Sequence, residues 1–382
     1  MIGSLLPPRV VIATLACVVM LTAATGCSRT RSHASSRGDS LFVGVAVGLT
    51  APERYVNVFE GVQMALDQLN ATRPSGSPVL ALRRPPASAK TVVAIALALR
   101  DDPDVIGIVG HTESAATITA AAVYADRSNG EANAIAAVSP TAGAPAVTLA
   151  SDWIFRVCPT TTEQARALAR YLADSLNVHR AGMLYRNEPS GTELLRAFAT
   201  EYLARGGTVT ERDPFTEDIP EFDAYAKRLV KSATPGAVIA GNTTEERPFA
   251  RALHAAGGTA QVLGTNPPEA SDSVSMRELR GMRFVQLYSA THPATPEGAK
   301  FATAFLSRTG MVADRWGALG YDAAMLIGLA EQSEGSDRRK IRDWIATVGR
   351  SRPAYSGATG VIGFDASRNP ITKQVRIAEA NQ

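Results

Sequence analysis

Apolar and polar stretches alternate along the chain from residue 41 onward. Short apolar runs bounded by glycine, such as VIGIVG at residues 105–110, predict buried strands. Longer stretches, such as NVFEGVQMALDQLNA at residues 57–71, repeat their apolar residues at intervals of three and four, which predicts helices that bury one face. Strands and helices that alternate in this way indicate a parallel sheet with helices on both faces.

The alternation begins a second time after residue 160. The helix TEQARALARYLADSL at residues 162–176 is followed by the strand RAGMLYR and by further helix–strand pairs. Near residues 283–293 the rhythm breaks, and two long helices are predicted at residues 296–310 and 316–333, before a C-terminal hairpin around SRNP. The predicted fold class is therefore α/β, with two similar lobes that are each a parallel sheet flanked by helices.

The first 27 residues differ from the rest of the chain. Arg9 is their only charged side chain, and the apolar stretch at residues 10–25 ends in small residues, which is typical of a secretory signal and short for a lasting membrane span. The stretch AATGC resembles the lipobox of bacterial lipoproteins, although Ala24 replaces the usual leucine. That resemblance implies that Cys27 carries lipid and becomes the new N-terminus. A plain signal peptide cut nearby and a retained N-terminal helix are the alternatives.

Composition adds few constraints. The chain has 382 residues, 45% of them hydrophobic, and this length indicates more than one domain. Its formal net charge is +3, and no basic block of the kind that binds nucleic acid occurs in the sequence. The serine-rich residues 28–40 predict a flexible tether. Of the three cysteines, Cys17 leaves with the signal and Cys27 takes the lipid, so Cys158 stays alone and is expected to be buried without a disulfide.

The stretch GHTES joins a predicted strand that ends at Gly110 to a predicted helix that starts near Ser114. No lysine followed by Ser or Thr comes after Gly110, no G-x-S-x-G elbow occurs in the chain, and the five histidines lack metal-ligand spacing. These absences argue against a phosphate loop, a serine nucleophile and a zinc site. A seat for a small anion at the helix N-terminus remains, and the alternative is that Ser114 only caps its helix.

The chain as a whole resembles the type I periplasmic binding proteins, in the branch that serves branched-chain amino acid ABC transporters (the leucine-binding, or receptor-family ligand-binding, group). The stretches that carry the resemblance are VGLTAPERYVNVFEGVQMALDQLNA, DVIGIVGHTESAATITAAAVYA, AVSPTAGAPAVT, IFRVCPTTTEQARALARYL, GYDAAMLIGLA and YSGATGVIGFDASRNPITKQVRI. In that family the ligand lies in a cleft between two lobes that close like a hinge, and the chain crosses between the lobes three times.

The resemblance implies crossings near residues 155–160, 288–292 and 352–356. The first lobe would comprise residues 41–157 and 290–350, and the second lobe residues 158–289 and 351–382.

Candidate binding residues in the first lobe also follow from the resemblance. In the family, the serine at the position of Ser114 holds the ligand's carboxylate. Thr141 lies in the next loop, at the end of the following strand, and Gly143 stands where many relatives carry a threonine. Either Arg54 or Tyr55 takes the place of an aromatic residue that contacts the ligand. An ordinary surface loop is the alternative for this last pair.

In the second lobe, Ser190 replaces the first residue of a tyrosine-glycine pair and Asn242 stands where relatives carry a tyrosine. Asn266 occupies the position at which the amino-acid binders place an acid for the ligand's ammonium. All three are also common turn-forming residues. Four acids on other loops or nearby in the sequence are candidates to replace the missing partner of the ligand's ammonium: Glu188, Glu245, Glu269 and Asp272.

These substitutions predict that leucine, isoleucine and valine are not the main ligands. A buried ammonium needs a charged or strongly polar partner, and Asn266 supplies no charge. A carboxylate or amide without a free ammonium, or a larger polar solute, is predicted instead.

The predicted function is that of a lipid-anchored, extracytoplasmic solute-binding protein that serves an ABC permease. It is expected to be a monomer without cofactor, metal, catalytic activity or nucleic-acid partner. The alternatives are a ligand sensor that reports to a membrane receptor or kinase, and an enzyme on the same fold, for which a nucleophile and a base are missing. A DNA-binding repressor would need an N-terminal helix-turn-helix, and residues 1–40 carry the signal and tether instead.

Overall fold

The computed structural model describes residues 40–49, 55–216, 221–269, 272–371 and 373–379. The predicted signal peptide, nearly all of the tether, Cys27 and Arg54 lie outside the described residues.

The strands are, in chain order, β1 (Ser40–Ala46), β2 (Val79–Arg83), β3 (Val105–Gly110), β4 (Ala137–Ser139), β5 (Ile154–Arg156), β6 (Arg180–Arg186), β7 (Thr208–Phe215), β8 (Gly236–Ala240), β9 (Gln261–Gly264), β10 (Arg283–Gln286), β11 (Tyr355–Gly357), β12 (Gly360–Ile362) and β13 (Arg376–Glu379).

The helices are α1 (Val56–Ala71), α2 (Val92–Arg100), α3 (Ser114–Ala125), α4 (Ala146–Leu149), α5 (Thr161–Arg170), α6 (Pro189–Ala204), α7 (Asp223–Lys231), α8 (Thr243–Ala255), α9 (Ser273–Glu278), α10 (Pro296–Thr309), α11 (Arg315–Glu334) and α12 (Arg338–Ala346). None of the helices within the described residues combines the length and the apolar character that a membrane span needs.

The first lobe is built on a five-stranded parallel sheet in the order β2-β1-β3-β4-β5. All six residues of β3 are buried, as expected for a central strand that helices cover on both faces. Helices α1, α10, α11 and α12 contribute to one hydrophobic cluster of this lobe, and α2 and α3 to another.

The second lobe is built on a six-stranded sheet in the order β13-β10-β9-β8-β6-β7. Its strands are parallel except β13, which pairs antiparallel with β10. Helices α5 and α6 pack on one side, and α7 and α8 on the other. The two predicted α/β units are therefore present, each with its own sheet.

The C-terminal segment differs from its prediction in the position of the hairpin and in its lobe. The hairpin β11–β12 turns at Ala358 and Thr359, whereas SRNP is flanked by one isolated antiparallel bridge between Phe364 and Pro370. The hairpin β11–β12 packs on the first lobe, because buried Asp322 of α11 accepts hydrogen bonds from the N–H groups of Ala358 (2.6 Å) and Thr359 (2.9 Å). Phe364 lies in the same hydrophobic cluster as the first sheet, whereas β13 joins the sheet of the second lobe. Residues 351–382 therefore do not all belong to the second lobe, because their buried polar and apolar contacts hold the hairpin to α11.

Two glycines set the position of α11 against α1. A Cβ atom at Gly61 would lie 1.9 Å from the carbonyl oxygen of Gly317, and one at Gly320 would lie 3.0 Å from the carbonyl oxygen of Val58. The two backbones are therefore in direct contact, which only glycine permits. This contact fixes the start of α11 beside Tyr55, which immediately precedes α1.

Candidate ligand-binding site

The candidate site is formed by the loops that follow the carboxyl ends of the strands in each sheet, where ligands lie in open α/β sheets. In the first lobe these are the β3–α3 and β4–α4 loops. In the second lobe they are the β6–α6, β8–α8 and β9–α9 loops. Most of the β1–α1 loop, including Arg54, lies outside the described residues.

Ser114 ties the two first-lobe loops together. It is the first residue of α3, and the residue that caps this helix is Glu113, so Ser114 is not the cap that the alternative interpretation expected. The Ser114 hydroxyl accepts a hydrogen bond from the N–H of Ala144 (3.1 Å), and Thr141 donates from its hydroxyl to the carbonyl oxygen of Thr112 (2.6 Å). Because the Ser114 hydroxyl uses a lone pair here, its proton can still be donated to a ligand.

Glu113 places a carboxylate in the loop that was predicted to seat an anion. Its Oε1 accepts a hydrogen bond from the hydroxyl of Tyr55 (2.9 Å), and a Cβ at Gly48 would lie 2.4 Å from the same oxygen. No Lys or Arg within the described ranges forms an ion pair with Glu113. Sequence reasoning sought a compensating acid in the second lobe and passed over this one.

Tyr55 is the member of the Arg54–Tyr55 pair whose position is described. It is 4% exposed, and its ring meets the ring of Trp316 edge-on, with a centroid distance of 5.0 Å and an interplanar angle of 84°. Tyr55 therefore holds Glu113 by a hydrogen bond while it packs against the start of α11. The role of Trp316 was not predicted from the sequence.

Gly143 lies against the connection to the second lobe. Its carbonyl oxygen accepts a hydrogen bond from the N–H of Thr161, the first residue of α5 (2.8 Å), and a Cβ at this position would lie 2.9 Å from the Thr161 hydroxyl oxygen. A threonine at this position would therefore collide with Thr161 unless one of the two side chains shifted.

Arg156 holds the loop that carries Thr141 and Gly143. It is fully buried at the end of β5 and donates to the carbonyl oxygens of Ala142 (3.0 Å), Ala144 (2.8 Å) and Pro145 (3.2 Å), and to the hydroxyl of Thr148 (3.2 Å). Burial lowers the pKa of this guanidinium from its ordinary value, and Coulombic attraction to Glu163 opposes the shift. The one feature of the sequence that could have indicated this role of Arg156 is that an arginine interrupts the apolar run IFRVC.

In the second lobe, the predicted residues make contacts typical of turns. Asn242 caps α8, and its N–H donates to the Glu245 carboxylate (2.7 Å). Asn266 donates from its side-chain amide to the carbonyl oxygen of Gly241 (2.7 Å), so these two asparagines lie together. Ser190 stands apart, as the second residue of α6, and its hydroxyl donates to the carboxylate of Glu188, which precedes the helix (2.7 Å).

The four acids considered as partners for an ammonium all have partners within the protein. Glu188 accepts from Ser190, and Glu245 pairs with Arg186 (2.5 Å). Asp272 caps α9 through the N–H and hydroxyl of Ser275, whose hydrogen bonds lower the Asp272 pKa.

The fourth acid, Glu269, accepts from the Trp316 indole N–H (3.0 Å) and pairs with Arg315 (3.3 Å). No acid occupies the predicted ammonium position, because Asn266 stands there.

Glu246 is an additional acid behind Asn266. It is completely buried, and burial raises its pKa well above the ordinary value. Its Oε1 accepts from the N–H groups of Thr265 (3.2 Å) and Asn266 (3.3 Å), which fixes the β9–α9 loop.

His111, the second residue of the GHTES loop, is buried and stacks on Tyr124, whose hydroxyl lies 3.0 Å from the His111 Nε2. Burial lowers its pKa to about 4, so the ring is neutral near pH 7. Among the described residues, no three His, Cys, Asp or Glu side chains lie close enough to hold a metal ion.

Comparison with known proteins identifies the family. Residues 40–382 match the family described as "Periplasmic binding protein". The chain belongs to this family. It is 23% identical over 228 residues to an "Amino acid binding protein" from Pseudomonas aeruginosa, an alignment that covers 57% of this chain. That alignment spans 59% of the relative, less than two thirds of its length.

Two solved structures show the same fold. An ABC transporter substrate-binding protein from Desulfitobacterium hafniense, in complex with Leu, is 23% identical with a TM-score of 0.74, over 88% of this chain and 96% of that one. A solute-binding protein of an ABC transporter from R. palustris, in complex with benzoate, is 15% identical with a TM-score of 0.73, over 89% and 93% of the two chains.

These comparisons confirm the predicted type I periplasmic binding protein fold and family. They also agree with the prediction that the chain is not an enzyme, because this family and these relatives bind solutes. The binding roles of Ser114, Thr141, Gly143, Tyr55, Ser190, Asn242 and Asn266 remain predictions.

Proposed function

We propose that this periplasmic binding protein is the extracytoplasmic solute-binding component of an ABC importer. The cleft would hold a small polar solute that bears a carboxylate or an amide, and an ABC permease in the membrane would receive it. The observation that carries the proposal is Ser114. Its hydroxyl proton and the N-terminus of α3 lie together at the end of β3, where a negative or strongly polar ligand group is stabilised.

The chemistry of the second lobe supports a ligand without an ammonium group. Asn266 replaces the acid that would hold one, and its amide is bonded to the carbonyl oxygen of Gly241. Glu245 is neutralised by Arg186, and Glu269 by Arg315. The relative that holds benzoate shows that this fold can take an acid with no amine.

Glu113 favours a second candidate, a solute with a cationic group. Its carboxylate lies in the β3–α3 loop beside Ser114 and accepts a hydrogen bond from the hydroxyl of Tyr55, and among the described residues no Lys or Arg forms an ion pair with it. A zwitterion could then place its carboxylate at Ser114 and its ammonium at Glu113.

A thermal-shift panel of leucine, benzoate and aliphatic amides tests the proposal. A ligand at 100 times its Kd stabilises the folded protein by about 2.7 kcal/mol. We expect shifts with amine-free acids or amides. A large shift with leucine and none with the amine-free compounds would contradict the proposed ligand class. If that leucine shift also disappeared in Glu113→Gln, the zwitterion would be the correct candidate.

We further propose that Cys27 carries acyl chains that hold a monomeric protein at the outer face of the cell membrane. Stable attachment requires more than one lipid chain, which the lipoprotein modification supplies. In a Cys27→Ala variant the protein should move from the detergent phase to the aqueous phase during cell fractionation. If it stays in the detergent phase, the N-terminal segment is retained as a helix instead.

A further inference from the structure

One group of contacts joins the two lobes near the candidate site. Arg315 and Trp316 begin α11 in the first lobe, and Pro267 and Glu269 lie in the β9–α9 loop of the second. The Trp316 indole N–H donates to Glu269 Oε1 (3.0 Å), and Arg315 reaches the same oxygen (3.3 Å). Arg315 also donates to the carbonyl oxygen of Pro267 (3.0 Å).

These contacts are stronger than an ordinary surface ion pair. The side chain of Arg315 is 12% exposed and that of Glu269 is 32% exposed, so water screens them less than it screens a fully exposed pair. The carboxylate oxygen that accepts the indole hydrogen bond also forms the ion pair with the guanidinium, so the acceptor is charged and the hydrogen bond is charge-assisted. Because the donors lie on the first lobe and the acceptors on the second, these contacts link the two lobes directly.

The same residues are connected to the predicted ligand loop. Trp316 packs edge-on against Tyr55, and the hydroxyl of Tyr55 donates to Glu113 in the β3–α3 loop. The direct backbone contact between Gly61 and Gly317 fixes the start of α11 on α1. A continuous path of contacts therefore runs from the ligand loop of the first lobe to the loop of Asn266 in the second.

We propose that Arg315, Trp316 and Glu269 form an interlobe latch that favours the closed arrangement of the lobes and thereby sets the affinity of the cleft. If the cleft binds its ligand only in the closed state, the apparent association constant is the intrinsic constant multiplied by the fraction of molecules that are closed. The latch lets part of the population close before the solute arrives. Only the effect on affinity rests on the proposed solute-binding function, because the effect on the lobe distance requires no ligand.

The distance between the lobes tests the latch directly. Spin labels attached through Leu149→Cys in the first lobe and Leu203→Cys in the second would sit at exposed positions, since these side chains are 71% and 70% exposed. Buried Cys158 should not react with the label, because burial raises its pKa to about 11. Cys17→Ser and Cys27→Ser, added to this background, remove the remaining thiols.

In the ligand-free protein we expect a population with a short interlobe distance. Glu269→Gln should shift this population to longer distances, and Trp316→Phe, which removes one donor but keeps an aromatic ring, should shift it less. The matched control is Glu278→Gln, which breaks a pair with Arg247 (2.7 Å) that lies within the second lobe and whose glutamate, like Glu269, is partly exposed. This control should leave the distances unchanged.

Identical distance distributions in the wild type, Glu269→Gln and Trp316→Phe would overturn the latch, whether or not a ligand is known. A second measurement determines the affinity of the cleft by titration with the compound that gives the largest thermal shift. Glu269→Gln should weaken this affinity by roughly 5- to 150-fold, the usual range for coupling between sites. A changed distance with unchanged affinity would contradict the link between the latch and the cleft. A failure of every compound to bind would count against the proposed function and leave the distance result standing.

Discussion

Replacing Arg156 by methionine should damage both the stability of the protein and its ligand site. Four hydrogen bonds from the buried guanidinium hold the segment from Ala142 to Thr148. Methionine fills similar space but removes one donor from each of three carbonyl oxygens and from a hydroxyl; of these, the Ala144 carbonyl keeps a second donor in the N–H of Val147. Removing one partner of a buried charged network lowers the free energy of unfolding by about 3–5 kcal/mol. This loss is smaller than the sum of the individual hydrogen bonds, because bonds made by one side chain are not independent.

The expected shift in melting temperature follows from the size of the folded body. Unfolding entropy is about 2.1 cal/mol/K per residue, so roughly 340 residues give about 0.7 kcal/mol/K. A loss of about 3–5 kcal/mol then lowers the Tm by about 4–7 °C. Because the released segment carries Gly143 and contacts Ser114, ligand affinity should also fall at least tenfold, which corresponds to about 1.4 kcal/mol. Calorimetry measures both quantities.

Arg338 provides the matched control for this experiment. It is a half-buried arginine of the same lobe that donates to the carbonyl oxygens of Val105 (2.8 Å) and Arg100 (2.8 Å), at the end of the sheet opposite the ligand loops. Burial lowers its pKa to about 10. Arg338→Met should lower the Tm by a similar amount and leave affinity unchanged. If both variants lose stability and neither loses affinity, Arg156 does not position the ligand loop.

Two further predictions concern the GHTES loop. Ser114→Ala should weaken ligand binding by about 1–3 kcal/mol in calorimetry, because a buried acceptor on the ligand would lose its donor; unchanged affinity with lowered stability would assign Ser114 a structural role only. His111 has a folded-state pKa of about 4, below its ordinary value of 6.5, so the unfolded chain takes up a proton that the folded chain does not. The stability associated with His111 is therefore present above about pH 6.5 and is lost as the pH falls toward 4, by up to about 3 kcal/mol. Denaturant unfolding across this range should show that component in the wild type and not in His111→Gln.

The sequence allowed the architecture to be predicted because burial leaves a strong local pattern. A strand such as β3, which is apolar at every position, identifies a sheet covered on both faces. The position of Ser114 was also predictable, since ligand loops in this fold follow strand ends. Both depend on residues that are close in sequence.

Contacts between distant residues could not be predicted in the same way. The hairpin β11–β12 was assigned to the wrong lobe, because its attachment depends on Asp322, which is 36 residues away from Ala358. Glu113 and Tyr55 are separated by 58 residues, and Glu269 and Trp316 by 47, so no spacing rule connects them. Arg156 gave only a weak signal, because its partners are main-chain carbonyls that any sequence supplies.

The most direct test of the account is to identify the small molecule that the purified protein releases when it is unfolded. Mass spectrometry should find about one carboxylate- or amide-bearing solute without a free amine per wild-type chain, and much less from Ser114→Ala purified in the same way. Release of the same amount of solute from both proteins would show that the ligand is bound elsewhere. Release of leucine, isoleucine or valine would contradict the proposed ligand class.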